Sequence, residues 1–285
     1  MKIFLTGGSG FIGSAVLRAL VGAGHQVTAG VRSQRSSLAV SDLGATGVIG
    51  DLFDAGWLAS ELRGHDAFVH TAAGGDGRDE ALDDAVIDAA LDAFAGTTKP
   101  FVHTGGIWTY GTGASIAESQ DPRPPTLTAW RVAREERVLG SGLRASVVQP
   151  AVVYGHGAGI PAMLTGAAAE QDPLTLIGSG EQHWTTVHVD DLAELYLLTL
   201  QHAPGGRAYI AASGDNPTVR ELGEAISASV SPESDEETIA RLGDFGAALL
   251  LDQQASGGRA RSELHWTPSR PPLLELLAEG YGESR

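Results

Sequence analysis

The opening stretch MKIFLTGGSGFIGS sets a short apolar run, a cluster of glycines and the start of an Ala/Leu-rich segment in immediate succession. Gly7, Gly10 and Gly13 fall where a first strand would end and a first helix begin. Glycines there allow a tight turn, close approach of a pyrophosphate, and close packing of helix on strand. The helix N-terminus adds N–H donors and a dipole that favours an anion. A glycine pattern by itself marks only a turn. The strand before it and the helix after it make a dinucleotide-binding loop the expectation.

The chain repeats that rhythm. QVTAGVR, GVIGDL, AFVHTAA, PFVHTGG, ASVVQPAVVYG and RAYIAA read as strands, and SAVLRALVGAG, WLASELRG and DEALDDAVIDAALDAFAG as helices. Strand–helix alternation with short links predicts an α/β fold, a doubly wound parallel Rossmann sheet covered on both faces. From about Gly155 the rhythm breaks. The expected division is a dinucleotide-binding domain of residues 1–154 and 186–212, with a smaller substrate lobe of residues 155–185 and 213–285. The polar run SPESDEET reads as a solvated helix start.

Composition removes several functions. The 285 residues carry 35 Asp+Glu against 19 Lys+Arg, a formal net charge of −16. Such a body repels phosphate backbones and anionic membranes, so neither nucleic acid nor membrane is an expected partner. Cysteine is absent, which removes disulfides, thiol catalysis and thiolate metal sites. The nine histidines are scattered without a His-x-x-x-His pair, so no metal is expected. With no apolar run of 18 residues and no leader-like start, a cytoplasmic location is the expectation.

The end of the second strand selects the cofactor. An acid there would pair with the ribose hydroxyls of NAD, whereas a 2′-phosphate needs positive charge. Arg32, Ser33 and Arg35 stand at that point, so NADP is expected ahead of NAD; a solvated loop arginine is the alternative. Asp51 and Leu52 follow the third strand, where a carboxylate can reach the adenine amino group or serve only the turn.

TGGSGFIG, Arg32, GDL, FVHTAA, FVHTGGIWTYG, QPAVVYGHG and TTVHVDDLAELYLL occur in one order, followed by RSELHWTP. Together they resemble the extended short-chain dehydrogenase/reductase superfamily, which includes NAD-dependent epimerases and dehydratases. The likeness implies about seven parallel strands with a small C-terminal substrate lobe. It also implies a homodimer through DEALDDAVIDAALDAFAG and the helix carrying Trp130, with Leu82, Val86, Ala89, Ala90 and Ala93 as a small-residue face; the alternative is that this face only covers the sheet. Beyond the glycines, it places Ser9, Phe11, Ile12, Thr71, Ala72, Ala73, Thr104, Arg134, Pro150 and Val153 at the cofactor.

The departures concern chemistry. The superfamily carries a Ser or Thr and a Tyr-x-x-x-Lys pair for proton transfer. Counted from Tyr110-Gly111, those positions fall at Gly106, Trp130 and Arg134. Arginine can hold ribose hydroxyls but keeps its proton, and an indole is a donor only. Gln149 stands where many relatives have Arg, which weakens the case for a diphosphate-sugar ligand. Tyr110 and Thr104 are the remaining candidates for catalysis, with packing roles as their alternatives. Trp108, Tyr110, Trp130, His183 and Trp184 are candidates to line a substrate cleft. The expected activity is an NAD(P)-dependent oxidoreductase, a reductase, acting on a small organic molecule. A silent dinucleotide-binding sensor and a nucleotide-sugar epimerase or dehydratase are the alternatives.

Overall fold

The computed structural model describes residues 1–281. The strands are β1 (Lys2–Thr6), β2 (Gln26–Val31), β3 (Thr46–Ile49), β4 (Ala67–His70), β5 (Phe101–Thr104), β6 (Gly113–Ile116), β7 (Ala145–Pro150), β8 (Val152–Gly155), β9 (Ala158–Gly159), β10 (Leu174–Thr175), β11 (Thr186–His188), β12 (Arg207–Ala211), β13 (Val230–Ser231) and β14 (Gln253–Ala255). The helices used below are α1 (Phe11–Gly22), α2 (Gln34–Ser41), α3 (Ala55–Arg63), α4 (Asp79–Phe94), α5 (Ala129–Leu139), α6 (Ala162–Ala168), α7 (Val189–His202), α8 (Val219–Ile226) and α9 (Asp235–Leu249).

Seven strands form one wholly parallel sheet in the order β3-β2-β1-β4-β5-β7-β12. This is the expected doubly wound architecture. The central strands are buried over most of their length because helices cover both faces, which is why KIFLT, AFVH and FVHT do not alternate apolar and polar residues. The order of the chain reverses between β1 and β4, and a crevice opens there at the strands' carboxyl ends.

Two local expectations change. ASVVQPAVVYG is two strands, not one. Pro150 has no N–H to continue the ladder, and beyond it β8 leaves to pair with β11 and β9. Residues 34–41 form a helix absent from the expected elements. Ser33 starts it by accepting a hydrogen bond from the Ser36 N–H at 3.2 Å. SPESDEET behaves as expected: Ser234 and Glu237 make a capping box at the exposed start of α9.

The C-terminal segment returns to the sheet through one side chain. Trp266 of the LHWTP element is fully buried and donates its indole N–H to the Asp191 carbonyl at 2.8 Å. The Asp191 carboxylate accepts in turn from the Ser269 and Arg270 N–H groups. A separate apolar cluster, with Tyr154, Trp184, Leu249 and Leu277 at its centre, supports the residues around α6, α8 and α9.

The face of α4 expected to meet a second subunit is turned inward. Leu82, Val86, Ala89, Ala90 and Ala93 are all buried in the cluster that contains Phe68 and Phe101. The outer side of α4 carries charge instead, with Arg134–Asp84 and Arg137–Asp88 pairs linking it to α5. Within the chain, that face is occupied by packing against the sheet.

A buried polar knot fixes α4 to the sheet. Thr6 Oγ1 meets His70 Nδ1 at 2.7 Å, and the Asp83 carboxylate meets His70 Nε2 at 3.1 Å and His103 Nε2 at 3.3 Å. Burial alone would raise the Asp83 pKa. The hydrogen bonds from His103 and His70 overcome it and hold the carboxyl well below the usual range. Asp83→Ala would leave two buried imidazoles without their acceptor. We expect it to cost about 1–3 kcal/mol in urea denaturation, the cost of leaving a buried hydrogen-bonding group unpaired; a loss below about 0.5 kcal/mol, the scale of a change away from any such feature, would contradict this account of the knot.

Candidate cofactor groove and substrate cavity

The glycine loop is shaped by contact. Gly7 has φ of 77°, and a Cβ on it would lie 2.6 Å from the Ala72 nitrogen. A Cβ on Gly13 would lie 2.0 Å from the Gly7 oxygen, so α1 packs on the turn only because both residues are glycine. Gly10 caps α1, and the first turn holds no acidic side chain. The N–H groups there suit an anion.

A groove of about 450 Å³ starts at this loop. Gly7, Ser9 and Gly10 line one end, Arg32, Asp51 and Leu52 the other, and Thr71, Ala72 and Ala73 one side. Arg32 is exposed at the rim. Ser33 and Arg35 do not line the groove: Ser33 is committed to capping α2, and Ser36 takes its place at the wall. Asp51 accepts from the Phe53 N–H at 3.0 Å, the turn role foreseen for it, while still facing the groove. Sequence reasoning missed Phe53 and Arg78, whose guanidinium lies 4.9 Å above the Phe53 ring at this wall.

The groove continues into a cavity of about 710 Å³, with Thr71, Ala73 and Asp79 lining both. Phe11, Ile12, Thr104, Pro150 and Val153 form its sheet side, and Trp108 and Trp130 its outer wall. The remaining expected residues lie elsewhere. Tyr110 is buried behind the wall and donates its hydroxyl to Gln149 Oε1 at 2.9 Å, and burial pushes its pKa up to about 12. His183 pairs with Asp252 at 2.9 Å, and Trp184 is buried with its indole N–H on the Leu249 carbonyl. Neither lines the cavity, because both turn toward the C-terminal core. Thr104 does line it, yet its hydroxyl donates to the His70 carbonyl at 2.5 Å and meets the Tyr196 hydroxyl at 2.6 Å, so its proton is already engaged.

On α5 the structure shifts the cation. Arg134 turns to α4, where it meets Asp84 Oδ2 at 2.7 Å and Glu80 Oε1 at 2.8 Å, and it does not line the cavity. Arg131 does, with Leu127 four residues before it on the same wall. Its guanidinium stands 4.4 Å over the Trp130 ring and 4.0 Å from the Asp83 carboxylate of the buried knot. Trp130 gives its N–H to the Leu127 carbonyl at 3.1 Å and has none to offer a ligand.

Gly105 and Gly106 form the cavity floor. Beneath Gly105 lies Glu135, whose Oε2 accepts from Gln149 Nε2 at 2.6 Å, completing a Tyr110–Gln149–Glu135 chain. Burial drives the Glu135 pKa up to about 7, against the pull of the Gln149 hydrogen bond and the Arg131 charge. Gln149 is thus held inside the protein and turned from the cavity. Among the described residues, His156, His188 and Asp190 come close enough to share an ion, a trio that spacing in the sequence did not reveal. His188 Nδ1 accepts the Asp190 N–H at 3.1 Å as the cap of α7, which commits that nitrogen.

The profile of the NAD dependent epimerase/dehydratase family matches residues 3–212, and the chain belongs to that family. It is 31% identical, over 98% of both chains, to an uncharacterised protein of Schizosaccharomyces pombe. It is 28% identical to the 2-alkyl-3-oxoalkanoate reductase of Stenotrophomonas maltophilia, over 98% of this chain and 88% of that one. Among solved structures, the dTDP-glucose 4,6-dehydratase DesIV of Streptomyces venezuelae with NAD bound superposes with a TM-score of 0.79 at 25% identity, covering 98% of this chain and 95% of that one. Among the described residues no helix is long and apolar enough to cross a membrane.

The two floor glycines differ in what a side chain would meet. A Cβ at Gly105 would lie 2.3 Å from Glu135 Oε1, whereas one at Gly106 would meet nothing within 4 Å. Gly106 also has φ of −174°, open to any residue. We expect Gly105→Ala to cost about 1–3 kcal/mol by overpacking, and Gly106→Ala less than about 0.5 kcal/mol. Thermal melts of the two variants check this, and equal costs would contradict the floor geometry.

Proposed function

We propose that the chain is an NADPH-dependent reductase of a small, largely apolar carbonyl compound. The observation that carries the reading is one continuous groove. It runs from Arg32 past the glycine loop into a cavity walled by Ile107, Trp108, Trp130, Val152 and Ile160. A pocket so walled favours apolar substrate surface, with orientation left to a few polar groups. The identity to a 2-alkyl-3-oxoalkanoate reductase supports the same class of substrate. The burial of Gln149 between Tyr110 and Glu135 speaks against a diphosphate-sugar, since that side chain is withdrawn from the cavity.

When bound, the nicotinamide supplies the hydride. The protein's part is placement. The glycine loop and the α1 N-terminus hold the pyrophosphate, and Arg32 meets the 2′-phosphate. Arg131 keeps a fixed positive charge beside the nicotinamide ribose, the role the superfamily gives to lysine. Tyr110 takes no part in proton transfer, because its hydroxyl is held by Gln149 and its pKa is raised to about 12 by burial. The proton comes from water in the open cavity.

The reading is tested by NADPH oxidation with a panel of aliphatic and aryl ketones. Turnover of apolar members supports it; NADPH binding without turnover of any member overturns it in favour of a binding-only protein. Charge-assisted hydrogen bonds are worth about 1.5–3 kcal/mol, so Arg32→Ala should weaken NADPH binding about tenfold or more and leave NADH nearly unchanged. Equal losses for both cofactors, read by fluorescence titration, would remove Arg32 from the phosphate.

A further inference from the structure

Two side chains at the cofactor groove meet although their loops start far apart. Phe53 lies in the loop after β3 and Arg78 in the loop after β4. In the sheet, β2 and β1 stand between those strands, so the loops leave its carboxyl edge three strand spacings apart, about 14 Å. Yet the Arg78 guanidinium carbon lies 4.9 Å from the centre of the Phe53 ring. The contact therefore spans the carboxyl ends of β1 and β2, where Gly7, Gly10, Gly30 and Arg32 line the groove. Phe53 and Arg78 line it too, and both are open to solvent: Phe53 is 37% exposed and the Arg78 side chain 65%.

Each loop is braced within itself. Asp51 accepts from the Phe53 N–H at 3.0 Å. Asp79 accepts from the Gly74 N–H at 2.6 Å and the Gly75 N–H at 3.2 Å. Asp76 accepts from the Arg78 Nε at 3.1 Å and Nη2 at 2.8 Å, which fixes the plane of the guanidinium. Among the described residues no hydrogen bond or ion pair joins one loop to the other. The cation–π contact bridges the gap, and an exposed one is weak enough to open. Gly75 and Gly77 have φ of 64° and 79°, and a Cβ on either would meet nothing within 4 Å. The loop that carries Arg78 thus stands clear of the body around it.

Resting on the reading of this groove as a dinucleotide site, we propose that Phe53 and Arg78 form a clasp over the adenosine half of the cofactor. That half lies at the Arg32 end of the groove, away from the cavity. Open, the clasp admits the cofactor; closed, it holds the adenosine in place. Because the cofactor passes it in both directions, the clasp sets entry and release together and leaves their ratio nearly unchanged.

The test is stopped-flow fluorescence on the full chain, reading NADPH entry on mixing and its release on displacement by excess oxidised cofactor. Arg78→Ala and Phe53→Ala should each raise both rate constants about two- to fivefold, the worth of one exposed cation–π contact, with Kd changed less than about twofold. Phe53→Ala removes no charge, so its faster entry does not come from altered steering. The double variant should be no faster than either single one, because both remove the same contact. Unchanged rates in either single variant overturn the clasp. Faster release with unchanged entry also overturns it and makes the pair a fixed contact. So does an additive double variant, since the two side chains then act separately. NADH replaces NADPH if NADPH does not bind; a wild type that binds neither overturns the dinucleotide reading and the clasp with it.

Discussion

The distance between Gly13 and the Gly7 carbonyl governs the rest of the molecule. A Cβ on Gly13 would fall 2.0 Å from that oxygen, so the first helix can begin directly over the end of β1. That contact aims the α1 N-terminus along the crevice where the strand order reverses. The groove, the shared wall at Thr71 and Ala73, and the cavity beyond all follow that direction.

The second constraint is the buried knot of Thr6, His70, Asp83 and His103. It joins β1, β4 and β5 to α4 at the level where the cavity begins. Its outermost neighbour is Arg131, so a charge inside the protein sits behind the cation that faces the cavity. Glu135 performs a related task one turn along, beneath Gly105. The floor has thereby lost a hydroxyl and gained room, since nothing occupies the space a side chain at Gly106 would take. Gly106, Trp130 and Arg131 line the cavity, and the groove beside it begins at the glycine loop.

What the sequence made legible was local. The glycine loop and the strand–helix rhythm each depend on neighbours a few residues away, and each is found in the structure; the Trp266 element was legible as a motif although its contacts reach across to Asp191. Side-chain direction was less legible. Tyr110, His183 and Trp184 have the chemistry of a pocket but turn to Gln149, Asp252 and Leu249. Counting forward from Tyr110-Gly111 put the cation at Arg134, because that count assumes a fixed length for the loop through residues 112–125. A signal for the correct residue was present. Glu80, Asp84 and Asp88 recur every four residues on α4, and Arg134 and Arg137 are their complement across the helix pair. That ladder takes Arg134 out of the site and leaves Arg131, on the face of Leu127 and Trp130, as the one that enters it.

The central claim is that the cofactor groove survives with its nicotinamide-side cation moved to Arg131. The most direct measurement is the NADPH dissociation constant of Arg131→Ala beside that of Arg134→Ala, with thermal melts to confirm folding. Loss of a charge-assisted contact predicts binding weaker by about tenfold or more for Arg131→Ala and nearly unchanged for Arg134→Ala. The reverse order, with Arg134→Ala the weaker binder, would contradict the account.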